Sequence, residues 1–253
     1  MTGDPGSAGG HPAEPRAREP MSVPALHALA WYAEGIRLWK RGPATFAVLA
    51  FITLIVSVAF EPVPILGFVA SNVIAPITAT SMLFASLAAD RGDLPRLKHV
   101  IAPFAAPASA QVTVVAAGWV AFAAEAISAW QLADANLFMP AREATSLTLR
   151  VVVAIYVAGI IASLPLTFVP FAALFDGDGM RRAFAISARA FTRNVPALAL
   201  YATISLGLLL LGLATMGVGL VLVLPWMAAA SYAAWKDIFG LGGPAPRDNQ
   251  FGG

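Results

Sequence analysis

The sequence predicts an all-α, polytopic membrane protein: six transmembrane helices as three hairpin repeats, each preceded by a basic amphipathic helix. Three observations predict it. Hydrophobic residues make up 58% of the 253-residue chain and charged residues only 12%, against roughly 25% charged in soluble domains. Apolar runs of bilayer-crossing length recur, at Pro43 to Phe60, Ile65 to Ala89, Pro107 to Trp130, Leu149 to Phe171, Val195 to Met216 and Gly217 to Trp235. The basic residues gather in the segments that precede the first, third and fifth of these runs.

In chain order, residues 1–20 are rich in Gly, Pro, Ala and charge and read as a disordered tail; they lack the continuous apolar core of a secretory signal. Residues 241–253 read as a second tail around a membrane domain of 21–240. From Val23 to Arg41 the pattern is helical and two-faced. Leu29, Tyr32, Ala33, Ile36 and Trp39 share one side, and His27, Glu34, Arg37 and Arg41 the other, with Lys40 beside them. This predicts an interfacial helix whose Trp31, Tyr32 and Trp39 sit at headgroup level.

Glu61, Pro62 and Pro64 turn the first run into the second, which carries Asn72 and then Pro76 ahead of Thr78, Ala79, Thr80 and Ser81, a pattern that predicts a kink. Asp93 and Pro95 suit the start of a second amphipathic segment, Leu94 to Phe104, with Arg96, Lys98 and His99 among apolar residues. Gln131 to Ser146 is the longest loop. Pro165 and Pro170 interrupt the far end of the fourth run. Asp178 then suits the cap of a third segment, in which Arg181, Arg182, Arg189 and Arg193 alternate with Phe184, Ile186 and Phe191.

Laid side by side, residues 23–90, 93–177 and 178–239 share an order, with Pro76, Pro165 and Pro225 in corresponding helix-kink positions and Asp90, Asp176 and Asp237 at corresponding ends. Fourteen of the sixteen Lys and Arg residues fall on one side of this arrangement, and Arg142 and Arg150 on the other. By the positive-inside rule both termini and all three amphipathic segments are cytoplasmic.

The runs Ala173 to Gly177, Ala183 to Asn194 and Leu224 to Phe239 resemble the uncharacterised six-span bacterial inner-membrane proteins related to the membrane domain of glycerophosphodiester phosphodiesterases. The resemblance covers most of Val23 to Phe239. It implies a bacterial inner-membrane module of unknown activity, since the related enzymes keep their catalytic residues in a separate soluble domain that has no counterpart in these residues.

No enzyme is expected from the residues themselves. Zero cysteines exclude disulfides, thiolate metal sites and cysteine nucleophiles. His11, His27 and His99 are scattered without a second ligand at metal spacing, so neither metal nor cofactor is expected. Ser163, Ser187, Ser205 and Ser231 have no nearby histidine, and Gly217-Val-Gly219 reads as a hairpin turn. Nothing points to nucleic acid.

Glu125 is the one carboxylate deep in an apolar run. It shares a face with Ala117 and Ala121, which points it into the bundle towards a stripe of Ala154, Ala158 and Ala162. Asn72 and Glu125 are therefore the intramembrane candidates, with packing and interhelical hydrogen bonding as their first expected role. The basic residues Arg37, Lys40, Arg41, Arg96, Lys98, Arg181, Arg182, Arg189 and Arg193 form feet suited to anionic lipid or to other membrane proteins. Two functions fit. The first is a non-catalytic membrane-organising, lipid-interacting or complex-assembly component; the alternative is a small transporter for a lipid-like or amphipathic solute. A closed apolar seam around the three prolines favours the first. A cavity reaching Asn72 or Glu125 favours the second.

Overall fold

The computed structural model describes residues 19–60, 63, 66–133 and 148–241. Every regular element among them is helical: α1 His27–Trp39, α2 Pro43–Ala59, α3 Leu66–Ala79, α4 Ser81–Asp90, α5 Ala108–Ala133, α6 Leu149–Ser163, α7 Val169–Leu174, α8 Met180–Arg193, α9 Val195–Ala214 and α10 Leu220–Ile238. Three stretches are long and apolar enough to cross a membrane, Leu66–Asp90, Ala108–Leu132 and Val195–Ala214. A fourth follows if α1 and α2, bent by 104° across Lys40 to Gly42, count as one broken span. Residues 1–18, 61–62, 64–65, 134–147 and 242–253 lie outside the described residues, and with them the expected tails, the expected turn at Glu61, Pro62 and Pro64 and most of the expected loop from Gln131 to Ser146.

α10 is the central post. It is alanine-rich and buried on most sides, and it packs against α1, α2, α4 and α9, as a helix with little polar surface must. Small residues bring the backbones close. A Cβ on Gly35 of α1 would fall 2.9 Å from the Ala230 backbone nitrogen. The Trp226 indole N–H donates to the Tyr32 carbonyl oxygen at 2.9 Å, which fixes the register of that crossing. A second centre forms around α5, which packs on α3, α6 and α7. Phe171 of α7 stacks on Trp235 of α10 at 5.2 Å and joins the two halves.

The breaks in the helices follow from missing or diverted backbone bonds. Pro76 supplies no N–H, and one turn later α3 gives way to α4 at Thr80, whose N–H and hydroxyl both donate to the Ile77 carbonyl, at 3.1 and 2.7 Å. At Pro165 the fourth apolar run divides into α6, a 3-10 turn at Leu164–Leu166 and α7. Ser187 of α8, fully buried, closes that gap: its hydroxyl donates to the Pro165 carbonyl at 2.7 Å and accepts the Phe168 N–H at 3.0 Å. Pro225 lies inside α10, which stays helical on both sides of it.

Three local expectations are corrected. The segment from Leu94 to Phe104 is two 3-10 turns, Leu97–Val100 and Ala102–Ala105, and not an amphipathic helix. Pro95, Pro103 and Pro107 leave too short a proline-free stretch for α-helix. In α1 the buried stripe is Ala28, Trp31, Tyr32, Gly35 and Leu38, whereas Leu29 is exposed. Trp31 and Tyr32 turn inward because partners wait there: the indole N–H donates to Asp237 at 2.9 Å, and the phenol lies 2.6 Å from the Ser205 hydroxyl and 3.0 Å from the Tyr201 carbonyl. Finally, the chain packed on the bundle includes residues before 21. Pro20 is buried, and the fully buried Asn194 side chain binds Met21 O and Val23 N, pinning the segment that leads into α1 onto the α8–α9 junction.

Candidate functional site

Two adjoining cavities open inside the bundle where the helices break. The first, about 450 Å³, is walled by α3–α4, α5, the α6–α7 break, α9 and α10. Its surface is mainly apolar, with Met82, Phe171 and Met227, and is dotted with the hydroxyls of Thr80, Ser163, Thr167 and Ser231. The second, about 370 Å³, lies between α2, α3 and α5 and holds Asn72, Ser57, Ser71 and Glu125. Thr53, Pro76, Ala79, Gly118 and Ala121 line both. A Cβ on Gly118 would sit 2.9 Å from Pro76 Cγ, so the missing side chain is what lets the proline ring settle there.

Asn72 and Glu125 thus meet in one chamber, with Pro76 at its junction to the next. Pro165 and Pro225 stand behind the wall, where their neighbours Leu164, Leu166 and Leu224 face the first cavity. The Asn72 amide donates to the Phe68 carbonyl at 2.9 Å, a bond within its own helix and not the interhelical one expected. Glu125 has no hydrogen-bond or ion-pair partner among the described residues, and Tyr156 of α6 lies within electrostatic reach of it. A close approach on α6 is at Gly159, where a Cβ would overlap the Glu125 carboxylate.

At the basic end, one turn beyond Ser231, a polar latch ties α1, α4 and α10. The Lys236 ammonium donates to both Asp90 oxygens, at 2.8 and 2.7 Å, the Tyr232 hydroxyl donates to Asp90 at 3.0 Å, and Arg37, paired with Glu34, stands 3.9 Å away. Asp237 binds His27 at 2.7 Å and the Trp31 indole. The sequence marked Asp90 and Asp237 only as the ends of repeats. A carboxylate in the last turn of a helix opposes the helix dipole, and that was the available sign that each holds a donor from another helix.

No protein family, curated protein or solved structure matches this chain.

The basic feet are divided in use. Arg182 pairs with Asp178 at 2.9 Å, Arg189 and Arg193 with Glu19 at 3.0 and 3.2 Å, and Arg41 donates to the Ala89 carbonyl. Lys40, Arg96, Lys98 and Arg181 have no carboxylate partner among the described residues. Burial, with Lys98 beside it, holds the His99 imidazole below its usual range, and its Nδ1 accepts the Arg96 N–H at 3.0 Å. The 94–104 segment therefore presents Arg96 and Lys98 as its fixed charges.

Proposed function

We propose that this chain is a six-span protein of a bacterial inner membrane that binds an amphipathic solute inside its bundle and carries it across the bilayer. In this reading α2, α3–α4, α5, α6–α7, α9 and α10 are the spans. They form three parallel hairpin repeats, the second entered by short 3-10 turns, with the basic end and both termini in the cytoplasm. The observation that carries the reading is the pair of adjoining cavities that share Pro76 in their walls. An assembly component needs a closed seam there, whereas a carrier needs a solute-sized opening with a few convergent polar groups beside broken helices. The latch around Asp90 stands between that opening and the basic end and acts as the cytoplasmic gate. The resemblance to the six-span family fits this topology and adds nothing to the chemistry. No residue is assigned a catalytic role.

Two measurements test it. With the natural chain free of cysteine, a cysteine replacing Ser22 is expected to resist a membrane-impermeant thiol reagent in intact cells, and one replacing Asn136 to react. Labelling at Ser22 overturns the orientation. For the cavity, purified protein in nanodiscs is expected to bind the neutral amphipathic dye Nile red saturably, and Ala121→Phe, which places a ring where both chambers meet, to weaken that binding about tenfold. Equal binding by a folded Ala121→Phe protein removes the cavity from the mechanism.

Of the unpaired feet, Arg96 and Lys98 are the residues we assign to anionic headgroups, each contributing about 1 kcal/mol near the surface. Replacing both by glutamine is expected to reduce co-purified anionic lipid. Glutamine at Arg189 and Arg193, already held by Glu19, is expected to change it little.

A further inference from the structure

The polar groups of the Glu125 chamber share one property. The Thr53 hydroxyl donates to the Leu49 carbonyl, Ser57 to Thr53, Ser71 to Phe68, and the Asn72 amide to Phe68, at 2.9, 3.0, 3.1 and 2.9 Å. Each hydroxyl has one hydrogen, and here each is committed to the helix backbone. What remains for the chamber is lone pairs, together with the Glu125 carboxylate, whose Oε1 rests against Gly159, and the Asn72 carbonyl oxygen. Among the described residues that line the chamber, the second amide hydrogen of Asn72 is the uncommitted donor, and the Tyr156 hydroxyl on α6 is a further donor within electrostatic reach of Glu125. Among the described residues, no Lys, Arg or His lines either cavity. The carboxylate has its own seat, since any side chain at Gly159 would displace it. Among the described residues, a wall mostly of acceptors around a carboxylate with no ion-pair partner suits a ligand that brings donors and positive charge, and the adjoining, mostly apolar cavity suits a hydrocarbon body.

We propose that the solute is an amphipathic primary or secondary ammonium ion, its N–H groups on Glu125 and the Asn72 chamber and its apolar part in the cavity lined by Met82, Phe171 and Met227. This rests on the cavities being the solute site. An ammonium supplies up to three donors and the charge that pairs with the carboxylate. An alcohol supplies one donor and no charge, an anion is repelled by Glu125, and a quaternary ammonium has charge without a donor. Of the four head groups, the ammonium with N–H alone meets both requirements.

The test is displacement of Nile red from the full chain in nanodiscs by octylamine, octyltrimethylammonium, octanol and octyl sulfate. Octylamine is expected to displace the dye at a concentration about tenfold below that of octanol, with the quaternary analogue between them and the sulfate weakest. Glu125→Gln keeps the shape of the side chain. It is expected to remove the advantage of octylamine over octanol, and saturable Nile red binding by the variant, at whatever affinity, shows that the site still folds. Octylamine no better than octanol in the natural chain overturns the proposal. So does an amine advantage that survives Glu125→Gln, or a quaternary analogue equal to the primary amine. The absence of saturable Nile red binding overturns instead the reading of the cavities as a site, so the two failures are distinguishable.

Discussion

Gly35→Val is expected to lower the stability of the folded protein by about 3 kcal/mol, as overpacking against immovable atoms does. The new Cβ would fall 2.9 Å from the Ala230 nitrogen, 3.1 Å from its Cα and 3.2 Å from the Trp226 carbonyl oxygen. All three are backbone atoms of α10 and none can rotate away. Separating the helices also breaks the Trp226 to Tyr32 bond at 2.9 Å and the stacking of Tyr32 on Tyr201 at 5.4 Å. Gly207→Val is the control, because a Cβ at Gly207 meets nothing within 4 Å. Thermal unfolding in one detergent, followed by the loss of α-helical circular dichroism, reads both. A Gly35→Val protein as stable as Gly207→Val would show that α1 is a loosely attached foot and not part of the bundle.

That outcome bears on what the sequence could convey. Long apolar runs show in any window of the chain, so the helical class and the positions of α2, α5, α9 and α10 were legible within a few residues. Burial within those runs was not. In a bilayer the lipid-facing and protein-facing sides of a helix are equally apolar, so hydropathy does not say which side packs. α1 shows the consequence: its pattern suited an interfacial helix on Leu29, Tyr32, Ala33, Ile36 and Trp39, yet the packed stripe is Ala28, Trp31, Tyr32, Gly35 and Leu38, with Tyr32 common to both. Size is the more informative quantity, because Ala28 and Gly35 admit a neighbouring backbone and Leu29 does not.

The candidate site was legible in its residues and not in its shape. Asn72, Pro76 and Glu125 stand out singly, as polar or helix-breaking residues in apolar runs do. That they line one space depends on Gly118 receiving the Pro76 ring and Gly159 receiving the carboxylate, contacts between helices far apart in the chain. The hydroxyls of the chamber were unreadable for a different reason: a serine in a membrane helix looks the same whether its lone pairs face a cavity or another helix. The feet show the opposite error. Four arginines on α8 suggested a lipid-binding surface, but Asp178 and Glu19 engage three of them, and Glu19 comes from a segment read as tail.

Asp90→Leu is expected to open the basic end of the bundle. The substitution leaves the Lys236 ammonium and the Tyr232 hydroxyl facing an isobutyl group, and both belong to the central helix α10. Lys236 and Asp90 side chains are 23% and 17% exposed. The loss is therefore that of an incompletely buried pair, about 1–3 kcal/mol, below the value for a fully desolvated one. Asp90→Asn is expected to lose less, since its amide oxygen still accepts from Lys236. Asp90→Leu combined with Lys236→Met is expected to recover part of the stability, because neither partner is then left unpaired. Stability alone does not separate a gate from a clamp. For that, a cysteine replacing Ser231, in the cavity wall one turn from the latch, is expected to react slowly with a thiol reagent added from the basic side of inverted vesicles. The reaction is expected to be about tenfold faster once Asp90 is leucine and to return towards the slow rate in the Asp90→Asn protein. If Asp90→Leu destabilises the bundle yet leaves the reactivity at Ser231 unchanged, the latch only holds α1 and α4 against α10, and the gate lies elsewhere.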